Sequence, residues 1–208
     1  MTLGDYMKKL AVVLIVAAGT LWGVIGYFVR RLTDMGLDSM QIVCIRMSVS
    51  AVLFALFALV FKRDLFKIKL KDIWCFLGTG VLSVATFSFC YFKAIELSSL
   101  SQASVLLYTA PIFVMLFSLV LFKEKLTVIK IVSLVLAFCG CLFVTGVLDF
   151  SESFNMLAVV FGLLSGVCYA LYSIFSRLAL NRNYSPLTIT LYTFIFSAIA
   201  SVCVIDVK

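Results

Sequence analysis

The chain has 208 residues and a formal net charge of +7; 64% of its residues are hydrophobic and 13% charged, against roughly 25% charged in a soluble domain. So much apolar surface excludes a soluble globular domain of this size, and lipid is the solvent that tolerates it. The basic residues fall in short clusters between apolar runs, as loop charges of a membrane protein do, so the positive charge does not point to a nucleic-acid partner.

About twenty apolar residues cross the hydrocarbon core of a bilayer. The first such run, Leu10–Val29, follows Lys8 and Lys9. It is too long for a signal-peptide core and lacks a small-residue cleavage pattern, so it reads as a retained span. It contains Gly19-x-x-x-Gly23, with Trp22 between the two glycines. Small residues four apart share one helix face and admit a neighbouring backbone, although ordinary packing is the plainer reading. The second run, Met40–Phe61, is interrupted only by Arg46. An arginine placed deep in lipid costs several kcal/mol and must face protein or water. It could hold an anionic group of a substrate, snorkel outward or pair with a loop carboxylate; the last two are the plainer readings.

The third run is Ile73–Phe92, ending beside Tyr91, and the fourth is Leu97–Phe122 with Pro111 at its middle. Pro111 cannot donate to the Leu107 carbonyl, which predicts a bend or loosened turn. Such a kink either lines a cavity or is a fixed packing feature. The fifth run is Ile131–Leu148. The sixth, Ser153–Ser176, carries Gly162-x-x-x-Gly166-x-x-x-Ala170 and Tyr169. The seventh is Asn183–Ile205, and Ser185-Pro186 reads as its N-cap and first turn. The runs are solidly apolar and do not alternate as barrel strands would. The fold expected is an all-α integral membrane protein of about seven transmembrane helices.

With the N-terminus inside, the cytoplasmic segments hold twelve basic residues (Lys8, Lys9, Lys62, Arg63, Lys67, Lys69, Lys71, Lys123, Lys125, Lys130, Arg177 and Arg182). The opposite side holds four, Arg30, Arg31, Lys93 and Lys208. That bias predicts a cytoplasmic N-terminus. The seven cysteines lie in or at the edge of apolar runs and no histidine is present, so no metal set, disulfide framework, cofactor or catalytic residue is expected. The acids stand at helix ends or in loops, which leaves no buried carboxylate pair for acid–base chemistry. Mid-span aromatics, Trp22 and Tyr169 above all, are candidates for a cavity wall. At an offset of 147, Gly19, Trp22, Gly23, Phe28 and Arg30 fall on Gly166, Tyr169, Ala170, Phe175 and Arg177. Five helices separate the copies, so the second would enter from the opposite side, as an inverted repeat does.

The segments Tyr91-Phe-Lys-Ala94, Ser101-Gln-Ala-Ser-Val-Leu-Leu-Tyr108, Pro111-Ile-Phe and Phe122-Lys-Glu124-Lys-Leu-Thr127 resemble the EamA-like family of the drug/metabolite transporter superfamily. Leu21-Trp22-Gly23, Arg46, Gly140 and the stretch from Gly162 to Arg177 are similar to that family too. Lys125 stands where arginine is usual, and Ser133 where glycine is common. The resemblance implies ten helices as five plus five, so residues 1–148 would be a first five-helix repeat and 149–208 a partial second of two helices. It implies a carrier of small organic metabolites, amino-acid-like or related, often an exporter of the bacterial inner membrane working through a central cavity. Trp22, Tyr91, Pro111 and Tyr169 would lie near that cavity, and Glu124 would be a loop residue of structural weight. Partners expected are a small-molecule substrate, membrane lipid and, as an option, a second copy in a homodimer. The short length raises a rival expectation, a truncated and non-transporting remnant. A membrane-embedded enzyme is disfavoured by the lack of histidine, and a seven-helix receptor by the inside N-terminus.

Overall fold

The structure, a computed structural model, describes residues 3–123, 127–145 and 155–204. The described residues form helices and short connections, with no strand among them. Six helices are long and apolar enough to cross a membrane, and a shorter apolar helix stands where the fifth span is expected. The all-α membrane fold read from the composition is the fold observed.

The chain divides into two compact units, Met1–Leu37 and Asp38–Lys208. The first is a single helix, α1 (Leu3–Asp34). It closes through Gly36 at φ +90°, with Leu37 N bonded to the Leu32 carbonyl at 3.1 Å. A left-handed residue at that place satisfies the last carbonyls of a helix, and glycine adopts it without a Cβ penalty.

The second unit contains α2 (Ser39–Phe61), α3 (Leu70–Leu97), α4 (Leu100–Phe122), α5 (Val128–Thr145), α6 (Met156–Leu180) and α7 (Pro186–Val204). α3 is central: α6 packs against α3 and α4, α7 against α2 and α3, and α5 against α4. Capping fixes where two of these helices begin. The Asn155 side chain accepts from Leu157 N at 3.0 Å and donates to the Leu97 carbonyl at 3.2 Å, tying the start of α6 to the end of α3. Ser185 Oγ accepts from Thr188 N at 3.1 Å, with Pro186 as the first residue of α7. Both motifs supply acceptors for N–H groups that the first helical turn leaves unpaired.

Lipid offers no hydrophobic drive between helices, so their contacts rely on small residues and close packing. Ser83, Ser88, Ser165, Ser197 and Ser201 are accordingly fully buried in the bundle. α3 and α7 approach closely at Gly80. There a Cβ built on Gly80 would stand 2.7 Å from Phe196 Cβ and 2.9 Å from the Thr193 carbonyl oxygen. Beside this contact, Thr193 Oγ1 donates to Thr79 Oγ1 at 2.8 Å, and Thr79 passes its own proton to the Phe76 carbonyl.

Two helices depart from regular geometry. α4 breaks between Leu107 and Ala110, where Thr109 N bonds to the Leu106 carbonyl and Pro111 enters the next turn. The loosened turn expected from Pro111 is present. α3 passes through a π-helical stretch, Gly78–Ala85. Ser83 Oγ and Thr86 Oγ1 donate there to the carbonyls five residues back, Gly78 and Val81.

Candidate functional site

Ser39 Oγ and Lys93 Nζ both donate to the Glu96 carboxylate, at 2.8 and 2.7 Å. These bonds set the start of α2 level with the end of α3. From that level Arg46 lies about 10 Å down α2 and Ser88 about 12 Å down α3, at 1.5 Å per residue. Arg46 Nη2 donates to Ser88 Oγ at 2.9 Å, and its guanidinium lies 5.2 Å from the centre of the Phe92 ring. The head group is therefore held at the depth of its own backbone. Neither of the plainer readings, snorkelling outward or pairing with a loop carboxylate, describes this geometry. Among the described residues no carboxylate pairs with Arg46.

A line of aromatic contacts continues from Arg46. Phe92 is 6.2 Å from Tyr91, Tyr91 stacks on Phe87 at 5.8 Å, and Phe87 meets Tyr169 of α6 edge-on at 5.5 Å. The Tyr91 hydroxyl lies 3.1 Å from Ser104 Oγ on α4; Ser104 commits its own proton to the Leu100 carbonyl, so Tyr91 is the donor. Tyr169 and Pro111 line one cavity of about 580 Å³ between α4, α5 and α6, with Ser118, Lys130 and Ser133 on its wall. Of the five residues singled out for substrate contact, Arg46, Tyr91, Tyr169 and Pro111 are thus linked within the second unit. Trp22 sits on α1, in the first unit.

The glycines differ in what surrounds them. A Cβ at Gly162 would lie 2.7 Å from Leu106 Cβ, and one at Gly166 would lie 2.7 Å from Thr109 Oγ1 and 3.3 Å from the Leu106 carbonyl. α6 therefore presses its glycine face onto the broken turn of α4. Gly19 and Gly23 lie on α1, in the first unit. Glu124 lies outside the described residues.

Several contacts escaped the reading of the sequence. Phe87, Ser88 and Phe92 share one helical face with Tyr91, but in a run where every face is apolar that spacing singles nothing out. At the opposite end of the bundle, Arg182 lies 3.3 Å from Asp72 and 4.7 Å over the Trp74 ring. Tyr184 donates to Asp72 Oδ2 at 2.7 Å. This network ties the start of α3 to the loop between α6 and α7. Partial burial, with the Asp72 carboxylate as its acceptor, pushes the Tyr184 hydroxyl above the usual phenol range.

Chemically, the described residues of the set offer the guanidinium of Arg46, the ammonium of Lys130, hydroxyl groups and aromatic faces, with no acid or nucleophile–base pair among them. Such an arrangement suits holding a solute and not breaking one of its bonds. Among the described residues no group of His, Cys, Asp and Glu gathers in a way that could hold a metal ion.

An uncharacterized transporter of Archaeoglobus fulgidus is 30% identical over 189 residues, which cover 88% of this chain and 62% of that protein. An uncharacterized transporter of Bacillus subtilis is 26% identical over 196 residues, covering 91% of this chain and 60% of the relative. The chain spans about three fifths of the length of these curated relatives. A solved crystal structure superposes with a TM-score of 0.58 at 16% identity, covering 90% of this chain and 66% of that one, a likeness of fold alone. The model of the EamA-like transporter family, a family of transporters and not of enzymes, matches residues 9–146. With that match over more than half of its residues, the chain belongs to the EamA-like transporter family.

Proposed function

We propose that the chain is a secondary carrier of small organic metabolites, amino-acid-like or related solutes. In this reading it exports them across the bacterial inner membrane by alternating access. The observation that carries the proposal is the continuous line from Arg46 through Phe92, Tyr91 and Phe87 to Tyr169, in a chain of a transporter family. We infer that residues 1–148 form one five-helix repeat and 149–208 the first two helices of an inverted partner. The antiparallel pairing of α2 with α7 supports this, because equivalent helices of an inverted repeat meet across its pseudo-two-fold axis. Orientation with the N-terminus in the cytoplasm is supported by Lys62, Arg63, Lys67, Lys69, Lys71 and Arg182, which lie at the Asp72 end of the bundle.

Liposomes holding the purified chain and loaded with unlabelled amino acids should exchange labelled solute, and Tyr169→Ala and Trp22→Ala should abolish the exchange. The absence of exchange across a broad metabolite panel would overturn the carrier reading. A reporter inserted after Asn183 should be active in the cytoplasm, and extracytoplasmic activity would reverse the orientation.

A further inference from the structure

We infer that Arg46 is the anchor for a carboxylate, so that the solutes this chain binds are small organic acids, or zwitterions presented carboxylate first. The inference rests on the carrier reading and gives it a substrate class. Three observations carry it. First, the guanidinium is embedded: its partner Ser88 lies about 12 Å below the Glu96 level, and the side chain is half-buried. A cation at that depth is costly unless something compensates its charge.

Second, its partners among the described residues are neutral, a serine hydroxyl and the face of Phe92. The nearest acid along α3, Glu96, is two helical turns away and already accepts from Ser39 and Lys93. Third, the guanidinium has donors to spare. Of its five N–H groups, one is spent on Ser88. The others have no hydrogen-bonding partner among the described residues.

A planar fork with free donors matches a carboxylate bidentately, which a lysine ammonium would not do. Phe92, Tyr91 and Phe87 run away from this fork, so an apolar or aromatic body attached to the carboxylate would find matching surface beside it. Ser88 holds the guanidinium from one side and leaves its orientation fixed before a ligand arrives, which lowers the ordering cost of binding.

The test uses the full chain in detergent micelles with benzoate and its neutral isostere benzamide as probes, read by thermal unfolding and by intrinsic fluorescence. Benzoate should raise the unfolding midpoint in a saturable way and benzamide should not. Arg46→Gln should weaken benzoate at least tenfold. Arg46→Lys keeps the charge but loses the fork and should fall between, so the test stands even if Arg46→Gln fails to fold. Equal responses to benzoate and benzamide, or an unchanged benzoate response in Arg46→Lys and Arg46→Gln, would overturn the inference. So would an Arg46-dependent response to inorganic phosphate or to phosphatidylglycerol in mixed micelles without one to benzoate, since the anchor would then serve a phosphate or a lipid. Arg46-independent transport of a neutral solute would sink the carboxylate anchor and leave the carrier reading standing. Benzoate binding without any solute exchange would do the reverse.

Discussion

Replacing Gly80 with alanine sets two effects against each other. An alanine in a helix is up to about 1 kcal/mol more favourable than a glycine, so local propensity predicts a gain. The packing predicts a loss. The new methyl would stand 2.7 Å from Phe196 Cβ and 2.9 Å from the Thr193 carbonyl oxygen, where roughly 3.5–4 Å is comfortable. The carbonyl is backbone and cannot swing aside, so α7 must retreat from α3 by about 1 Å. Overpacking of this kind costs ~1–3 kcal/mol, and the retreat also stretches the Thr193–Thr79 bond of 2.8 Å, which is worth about 1 kcal/mol. The net expectation for Gly80→Ala is a loss of about 1–3 kcal/mol. Reversible unfolding in mixed micelles measures it. The same change in a Thr193→Val background should cost about 1 kcal/mol less, because the bond is already gone. Gly140→Ala, whose methyl meets nothing within 4 Å, should be neutral or stabilising by up to ~1 kcal/mol. If Gly80→Ala behaved like Gly140→Ala, the close contact of α3 with α7 would be refuted.

Gly166→Ala should cost about 0.5–2 kcal/mol by forcing Thr109 off its bond to the Leu106 carbonyl, and Thr109→Ala in the same chain should recover most of the loss on a thermal melt. A double-mutant cycle of Asp72→Asn with Arg182→Gln should give a coupling of about 1 kcal/mol or less, because the Arg182 side chain is 38% exposed and solvent screens the pair; added salt should shrink it further. Pro111→Ala restores a donor to the Leu107 carbonyl and should firm the broken turn of α4, a local gain of up to ~3 kcal/mol. Hydrogen exchange at residues 107–112 should slow while solute exchange in liposomes falls, and unchanged protection there would show that the break does not depend on the proline.

The number and order of the helices, the break at Pro111 and the cap at Ser185 were legible in the sequence because each depends on composition or on one residue's backbone chemistry. The packing faces were not. A helix in water declares its buried side by an apolar stripe, but in lipid both the packed and the exposed sides are apolar. Hence the contact that Gly162 and Gly166 make with α4 does not show in the sequence, where they look like any other string of small residues. Arg46 was conspicuous as a lone charge in an apolar run, yet its companions Ser88 and Phe92 were not, since nothing in their own neighbourhood marks them. Gly80 was passed over because a single glycine among apolar residues carries no spacing signal at all.

The π-helical stretch of α3 has a consequence for how this sequence can drift. Each extra residue in a wide turn rotates everything beyond it by about 100° relative to a regular helix. The stretch Gly78–Ala85 carries the Thr79 bond to α7 in its first turn and ends just before Ser88, which bonds to Arg46. It therefore acts as a phase shifter, setting which way Ser88, Tyr91 and Phe92 point while the lower half of the helix stays docked. Straightening it into a regular helix with every residue kept would leave a span long enough to cross the membrane and turn that aromatic face away from its partners. Length and hydropathy would both survive such a change, and the site would not.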